Sequence, residues 1–88
     1  MKQRRANIFG LGLIGGSLAA ALTARGWHVT GNDVSPETEK EALSLGLISA
    51  RGIDADAEVS FVATPVSSVS MQVKRALDTT SGLVTDVG

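Results

Sequence analysis

A run of glycines between a short apolar segment and a longer aliphatic one constrains this chain more than any other feature. Gly10, Gly12 and Gly15 follow the apolar residues 6–9 and open the aliphatic segment 12–25. We interpret the first segment as a buried parallel strand and the second as a helix. Glycines at this spacing allow a tight strand-to-helix turn in which the backbone comes close to a ligand. The pattern therefore predicts a loop that binds the pyrophosphate of a dinucleotide at the amino end of the helix.

Strands and helices alternate along the rest of the chain. We predict further strands at 28–33, 47–50, 58–63 and 83–87, a helix at 35–45, and a helix that opens at Pro65. The last helix is predicted to be amphipathic, with an apolar face formed by Val66, Val69, Val73, Ala76 and Leu77. This alternation predicts an α/β fold, a Rossmann-type parallel sheet with strand order 3-2-1-4-5. Residues 1–88 would then form one domain, the first half of a dinucleotide-binding domain.

An acidic residue stands where the second predicted strand ends. Asp33 lies 18 residues after Gly15, close to the separation at which a ribose-binding acid follows such a loop. A carboxylate there accepts hydrogen bonds from both ribose hydroxyls and repels a 2′-phosphate, and no arginine follows it directly. We therefore predict NAD rather than NADP as the cofactor. The alternatives are a solvated acid at a strand end and a glycine turn without a ligand.

Ala63 and Thr64 end the fourth predicted strand, which neighbours the first strand in this sheet order. Ligands of doubly wound sheets bind in the crevice outside the carboxyl ends of these two strands. We expect the backbone of Ala63 and Thr64 to line the ribose on the nicotinamide side. Thr64 and Pro65 are also typical of a plain helix start, and that alternative stays open. Asp86 ends the fifth strand at the same edge, where it either faces the site or is an ordinary loop acid.

Composition excludes several other classes of function. A net charge of −1 indicates neither a nucleic-acid partner nor an anionic membrane. With no cysteine and a single histidine, His28, the chain offers no thiolate or multi-histidine metal site. The basic residues before the first apolar run resemble a signal peptide, but four glycines make that run a poor helical core. We predict a cytoplasmic chain without a membrane span, with His28 at the surface and away from the ligand edge.

Four segments together resemble the prephenate dehydrogenases, a family with relatives that use arogenate. They are the Phe-Gly-Leu-Gly-Leu-Ile-Gly-Gly-Ser-Leu-Ala string at 9–19, Gly-Asn-Asp at 31–33, Phe-Val-Ala-Thr-Pro-Val at 61–66 and Thr-Asp-Val-Gly at 85–88. The resemblance implies oxidation of prephenate with NAD or NADP and loss of carbon dioxide, in tyrosine biosynthesis. It implies that Asp33 holds the adenosine ribose. It implies that the pyrophosphate is contacted by Gly10, Leu13, Ile14 and Gly15, and that the nicotinamide half lies beside Ala63, Thr64 and Pro65.

The family's catalytic residues do not match positions of this sequence. In the family the Asp-Val-Gly motif continues into Ser and Lys, and a catalytic His and a helical dimerisation domain follow; His28 does not match that His. We therefore expect cofactor binding without catalysis from these 88 residues alone, and self-association through the exposed edge of the fifth strand. Three alternatives stay open: another NAD(P)-dependent β-hydroxyacid-type dehydrogenase, an imine reductase, and a non-enzymatic nucleotide-binding module.

Overall fold

The computed structural model describes residues 3–64, 69–80 and 82–87. These residues form five strands and three helices: β1 (Arg5–Phe9), α1 (Leu13–Ala24), β2 (His28–Asn32), α2 (Pro36–Ser44), β3 (Ala50–Arg51), β4 (Val59–Val62), α3 (Val69–Thr79) and β5 (Leu83–Asp86). The strands pair in parallel in the order β3-β2-β1-β4-β5. The predicted α/β fold and strand order are confirmed.

The central strand β1 divides the core between the two faces of the sheet. Ile8 and Phe9 are both fully buried, and successive side chains of a strand point to opposite faces. The cluster around Ile8 contains Leu11, Ala19, Val29, Ala42 and Ile48. The cluster around Phe9 contains Val62 and Ala76. Burial on both faces explains why β1 lacks the polar-apolar alternation of a half-exposed strand.

Glycines end the first two helices, and the second ending corrects the predicted third strand. Gly46 has φ +74°, its N–H donates to the carbonyl of Leu43, and the N–H of Leu47 donates to that of Ala42. This pair of bonds is a Schellman motif, so the apolar residues after α2 complete its carboxyl end. The strand predicted at 47–50 was wrong in position, because Leu47 belongs to that motif and Ile48 packs into the core. β3 is the shorter pair Ala50–Arg51.

The face of α3 that meets the sheet is rotated from the predicted one. Gln72 and Ala76 are buried and Val73 is partly buried, whereas Leu77 is exposed. The inclusion of Leu77 was wrong because it lies at the rim of the stripe, while polar Gln72 occupies an inward position. The predicted helix opening at Pro65 and the position of Val66 lie outside the described residues.

β5 is the last strand on its side of the sheet, and Leu83 is exposed. Self-association through this edge stays a prediction.

Candidate functional site

Two glycines of the loop after β1 are required by the protein's own backbone. Gly10 has φ +97°, a conformation that other residues rarely adopt, and a Cβ there would lie 2.8 Å from the carbonyl oxygen of Ala63. A Cβ at Gly15 would overlap the carbonyl oxygen of Gly10. The N–H of Gly10 donates to the carbonyl of Asn32 at 2.8 Å, which ties the loop to the end of β2. Gly10 and Gly15 therefore make the tight turn that brings α1 against the sheet.

Gly12, the middle glycine, has no such requirement within the described part of the chain. Its φ of −71° suits any residue, and no described atom beyond its chain neighbours lies within 4 Å of a Cβ built there. Gly12 is the N-cap of α1 and supplies no side chain to the free N–H groups of the first turn. The absence of a side chain thus leaves open space in front of an uncapped helix terminus. That space fits the close approach of a pyrophosphate.

Leu13 and Ile14 begin α1 and carry apolar side chains into solvent. Their exposed fractions are 88% and 54%. Single exposed apolar residues are common, but here two consecutive ones flank the uncapped helix terminus. They lie where the sequence resemblance places them, although their contact with a cofactor stays a prediction.

Asp33 follows β2 and faces the glycine loop. Its Oδ2 accepts the N–H of Leu11 at 2.7 Å, and its Oδ1 accepts the N–H of Ser35 at 3.0 Å. A carboxylate has about four acceptor positions, so each oxygen retains capacity for a hydroxyl donor. The bond to Leu11 was not anticipated from the sequence, because it joins residues 22 positions apart. Asp33 therefore holds the loop in place and presents acceptors beside it.

Glu39 contacts Asp33 and pairs with Arg51, and sequence reasoning missed both residues. Glu39 Oε2 accepts the N–H of Asp33 at 2.8 Å. Its Oε1 accepts Nη2 and Nε of Arg51 at 2.9 and 3.1 Å. Arg51 lies opposite Gly31 in the register of β2 with β3, and Gly31 is two residues before Asp33. A guanidinium is thus present at this edge although no arginine follows Asp33 in sequence; only the strand pairing reveals it.

The end of β4 adjoins the glycine loop from the other side. The N–H of Ala63 donates to the carbonyl of Phe9 at 2.8 Å, and Thr64 is buried. A Cβ at Gly10 would meet Ala63 and the Thr64 methyl, so these residues pack directly on the first glycine. The structure therefore brings Ala63 and Thr64 to the predicted edge, while Pro65 lies outside the described residues. Asp86 is level with Val62 at the end of β5.

The opposite edge of the sheet holds a separate set of charges. Arg4 donates to both carboxylate oxygens of Glu58 at 2.8 and 3.1 Å, and its guanidinium lies 4.3 Å from the centroid of the Trp27 ring. This hydrogen bond holds the pKa of the Glu58 carboxyl below its ordinary value and raises the pKa of Arg4. His28, which begins β2, lies at this edge. It is partly buried rather than fully exposed, and it is remote from the loop.

Two kinds of feature are absent from the described ranges. No helix there is long and apolar enough to cross a membrane. No group of three or more metal-ligating side chains occurs within residues 3–64, 69–80 and 82–87.

Comparison with known protein families gives a match over almost the whole chain. Residues 6–88 match the family described as the NAD binding domain of 6-phosphogluconate dehydrogenase. The match begins in β1 and covers the glycine loop, Asp33 and the end of β4. A comparison with curated protein sequences found no match.

Solved structures give several matches over nearly the whole chain. Arogenate dehydrogenase from Synechocystis is 30% identical with a TM-score of 0.89, covering 96% of this chain and 32% of that one. Prephenate dehydrogenase from A. aeolicus, in complex with hydroxyphenyl propionate and NAD+, is 25% identical with a TM-score of 0.84, covering 98% and 34%. The 3-hydroxyisobutyrate dehydrogenase of Mycobacterium tuberculosis is 22% identical with a TM-score of 0.79, covering 97% and 31%, and shows a shared fold. The chain spans about a third of the length of these proteins.

Proposed function

The chain belongs to the family of NAD binding domains of 6-phosphogluconate dehydrogenase, and from this premise we propose that it is the cofactor-binding portion of a prephenate or arogenate dehydrogenase. NAD, when bound, supplies the hydride acceptor of such a dehydrogenase. The residues described here bind and orient it. The residues that hold substrate or take up a proton would come from the remainder of a longer protein.

The open space at Gly12 is the observation that carries the proposal. Gly10 and Gly15 are explained by the fold alone, because a Cβ at either position would collide with backbone. Gly12 is not, since a Cβ there would meet no described atom beyond its chain neighbours. Glycine lowers the stability of a helix terminus relative to a side chain that caps it. A ligand that needs the backbone bare accounts for glycine at this position.

The neighbouring residues would then each bind a different part of the cofactor. The first-turn N–H groups of α1 would donate to the pyrophosphate, between the exposed side chains of Leu13 and Ile14. Asp33 would accept the hydroxyls of the adenosine ribose with the lone pairs that Leu11 and Ser35 leave free. Ala63, Thr64 and Pro65 would run beside the nicotinamide half. The assignment of NAD over NADP is part of this proposal.

Calorimetric titration of the purified chain with NAD tests the proposal, with Gly12→Val as the informative variant. The wild-type chain should bind one NAD per chain. Gly12→Val should weaken binding by at least about tenfold, because its side chain would occupy the space that the pyrophosphate needs. The free energy of unfolding of the variant should change little, since the added Cβ meets no described neighbour.

Gly16→Ala is the matched control. Gly16 lies one turn further into α1, has an ordinary φ, and its added Cβ would lie 3.5 Å from the carbonyl oxygen of Leu11, which is normal contact. NAD binding should stay within about twofold of wild type, because helix propensity alone changes by less than about 1 kcal/mol. No NAD binding by the folded wild-type chain, or equal affinity in Gly12→Val, would contradict the proposal.

A β-hydroxyacid dehydrogenase is the second candidate parent. The family match favours it, because that family is described from 6-phosphogluconate dehydrogenase. The motif string of residues 9–19 and the arogenate dehydrogenase match favour the first candidate. Reading the coding sequence beyond Gly88 separates them: Ser-x-Lys directly after Asp-Val-Gly supports prephenate or arogenate dehydrogenase, and a different continuation supports the second parent.

A further inference from the structure

The surroundings of Asp33 contain a second carboxylate and a guanidinium that the proposed function does not use. Glu39 and Arg51 are joined by two hydrogen bonds, and Glu39 also accepts the N–H of Asp33. The side chain of Glu39 is only 15% exposed, and that of Arg51 is 36% exposed. The guanidinium is therefore two hydrogen bonds away from the residue proposed to hold the adenosine ribose.

We propose that Glu39 determines which dinucleotide the chain accepts, by keeping Arg51 paired so that it does not bind a 2′-phosphate. This inference rests on the proposed function, because it concerns the ribose that Asp33 would hold. Arginine is the side chain best suited to a phosphate, through paired charge-assisted hydrogen bonds. Nε and Nη2 of Arg51 already donate to Oε1 of Glu39.

The balance of charge supports the same direction of selectivity. Asp33 and Glu39 contribute two negative charges at this edge, and Arg51 contributes one positive charge. A 2′-phosphate would bring about two more negative charges against a net negative surrounding. Replacing Glu39 by glutamine would remove one negative charge and release the guanidinium. The glutamine side chain keeps an oxygen that can accept the N–H of Asp33, so the backbone contact can survive.

The position of Glu39 on α2 makes this a positioning role. α2 begins with Ser35 as N-cap, whose side chain accepts the N–H of Thr38. That cap fixes the first turn next to Asp33 and so places Glu39 within reach of both Asp33 and β3. Glu39 would touch neither nicotinamide nor substrate, and it would act through Arg51.

Titration of four chains with NAD and with NADP at fixed ionic strength tests the inference. The chains are wild type, Glu39→Gln, Arg51→Gln and the double variant. Wild type should prefer NAD. Glu39→Gln should strengthen NADP binding by about tenfold, the size of one charge-assisted contact, and leave NAD within about twofold. The double variant should lose the gain, because no guanidinium remains to bind the phosphate.

Glu41→Gln is the matched control, since it removes the same charge from an exposed position of the same helix. Its NADP-to-NAD ratio should stay within about twofold of wild type, because exposed charges are screened. Equal gains for both dinucleotides in Glu39→Gln, or a gain that persists in the double variant, would overturn the inference.

Arg51→Lys alone keeps the inference testable if Glu39→Gln does not fold, because lysine retains the positive charge and removes the paired donors of the guanidinium. The affinity of this variant for NADP should match wild type, because Glu39 holds the guanidinium in the wild-type chain. A tenfold loss of NADP affinity would show that Arg51 already binds the phosphate, and the inference would be wrong. Failure of the wild-type chain to bind NAD is a different outcome, which counts against the proposed function itself.

Discussion

The two edges of the sheet differ in how completely their polar groups are paired within the protein. Towards the amino edge, Arg4 pairs with the Glu58 carboxylate and Arg5 with that of Asp54, while buried Asn7 bonds to the backbone of Asp54 and to the hydroxyl of Ser60. At the carboxyl edge, the amino end of α1 has no side-chain cap, and the position beside Gly12 is open. The carboxyl edge also has internal pairs, at Glu39 and Arg51, but it leaves the first-turn donors of α1 and part of the acceptor capacity of Asp33 available.

This difference predicts that one set of residues determines the stability of the sheet and another set determines its affinity for the cofactor. Residues that complete contacts inside the protein should affect unfolding and leave cofactor affinity unchanged. Residues that leave space or lone pairs should do the reverse. Gly10 and Gly15 lie at the carboxyl edge, but the turn of the backbone requires them. Substitutions at these two glycines should therefore lower both the stability of the fold and the affinity for the cofactor.

Gly15→Ala should have the largest effect on stability. Its Cβ would overlap the carbonyl oxygen of Gly10, and backbone cannot move aside as a flexible side chain can. We expect a loss of about 3 kcal/mol, a large part of the roughly 5 to 10 kcal/mol available to a domain of this size. Urea unfolding followed by circular dichroism measures the loss.

Gly12→Ala provides the comparison within the same loop. Its Cβ meets no described neighbour, so its unfolding midpoint should stay near that of wild type while NAD affinity falls. Equal destabilisation by Gly12→Ala and Gly15→Ala would show that the three glycines serve only the turn.

Asn7→Leu should have the next largest effect, and only on stability. Asn7 is fully buried in β1, donates to the carbonyl of Asp54 at 2.8 Å and to Ser60 Oγ at 3.1 Å, and accepts the N–H of Asp54 at 2.7 Å. Leucine removes all three bonds; the Asp54 carbonyl keeps the N–H of Ala57, but the Asp54 N–H and the Ser60 hydroxyl lose Asn7, which costs about 2 kcal/mol. Denaturant unfolding should show the loss, and NAD affinity should stay within about twofold.

Ser60→Ala tests whether the Asn7 effect comes from the network. It removes one partner, at the longest of the three hydrogen bonds, so the expected loss is about 1 kcal/mol. A larger loss than in Asn7→Leu would locate the stabilisation in Ser60 instead. A fall in NAD affinity in either variant would break the separation between the two edges.

Local patterns predicted most of the fold because the relevant signals lie within one element. The turn from the first strand to the first helix and the helix predicted at 35–45 each depend on neighbouring residues, and the structure contains both. The third strand was misplaced because a local pattern does not show what an apolar residue contacts. Leu47 and Ile48 resemble a strand in sequence, but Leu47 completes the end of α2 and Ile48 packs into the core.

The missed parts of the candidate site are contacts between distant residues. Asp33 was found from its separation from Gly15, whereas Glu39 and Arg51 were not, because no local pattern links α2 to β3. The register of β2 with β3 brings Arg51 opposite Gly31, and this pairing becomes visible only when the sheet is assembled. Ala63 was found because strand order alone places β4 beside β1.

Glu58→Gln should have the smallest effect, and its pH dependence is the informative quantity. The hydrogen bond from Arg4 lowers the pKa of Glu58 in the folded chain. A lowered pKa stabilises the fold above the carboxyl's unfolded pKa of about 4.3, and that contribution is lost as pH falls through the folded pKa. Because the pair is exposed and screened by solvent, the difference in stability between Glu58→Gln and wild type should be small near neutral pH and absent in acid.

The midpoints of urea unfolding of both chains, from neutral pH into acid, measure this difference, with Glu41→Gln as an exposed control. A difference that grows in acid would have the wrong sign, and would show that the amino edge does not stabilise the fold through this pair.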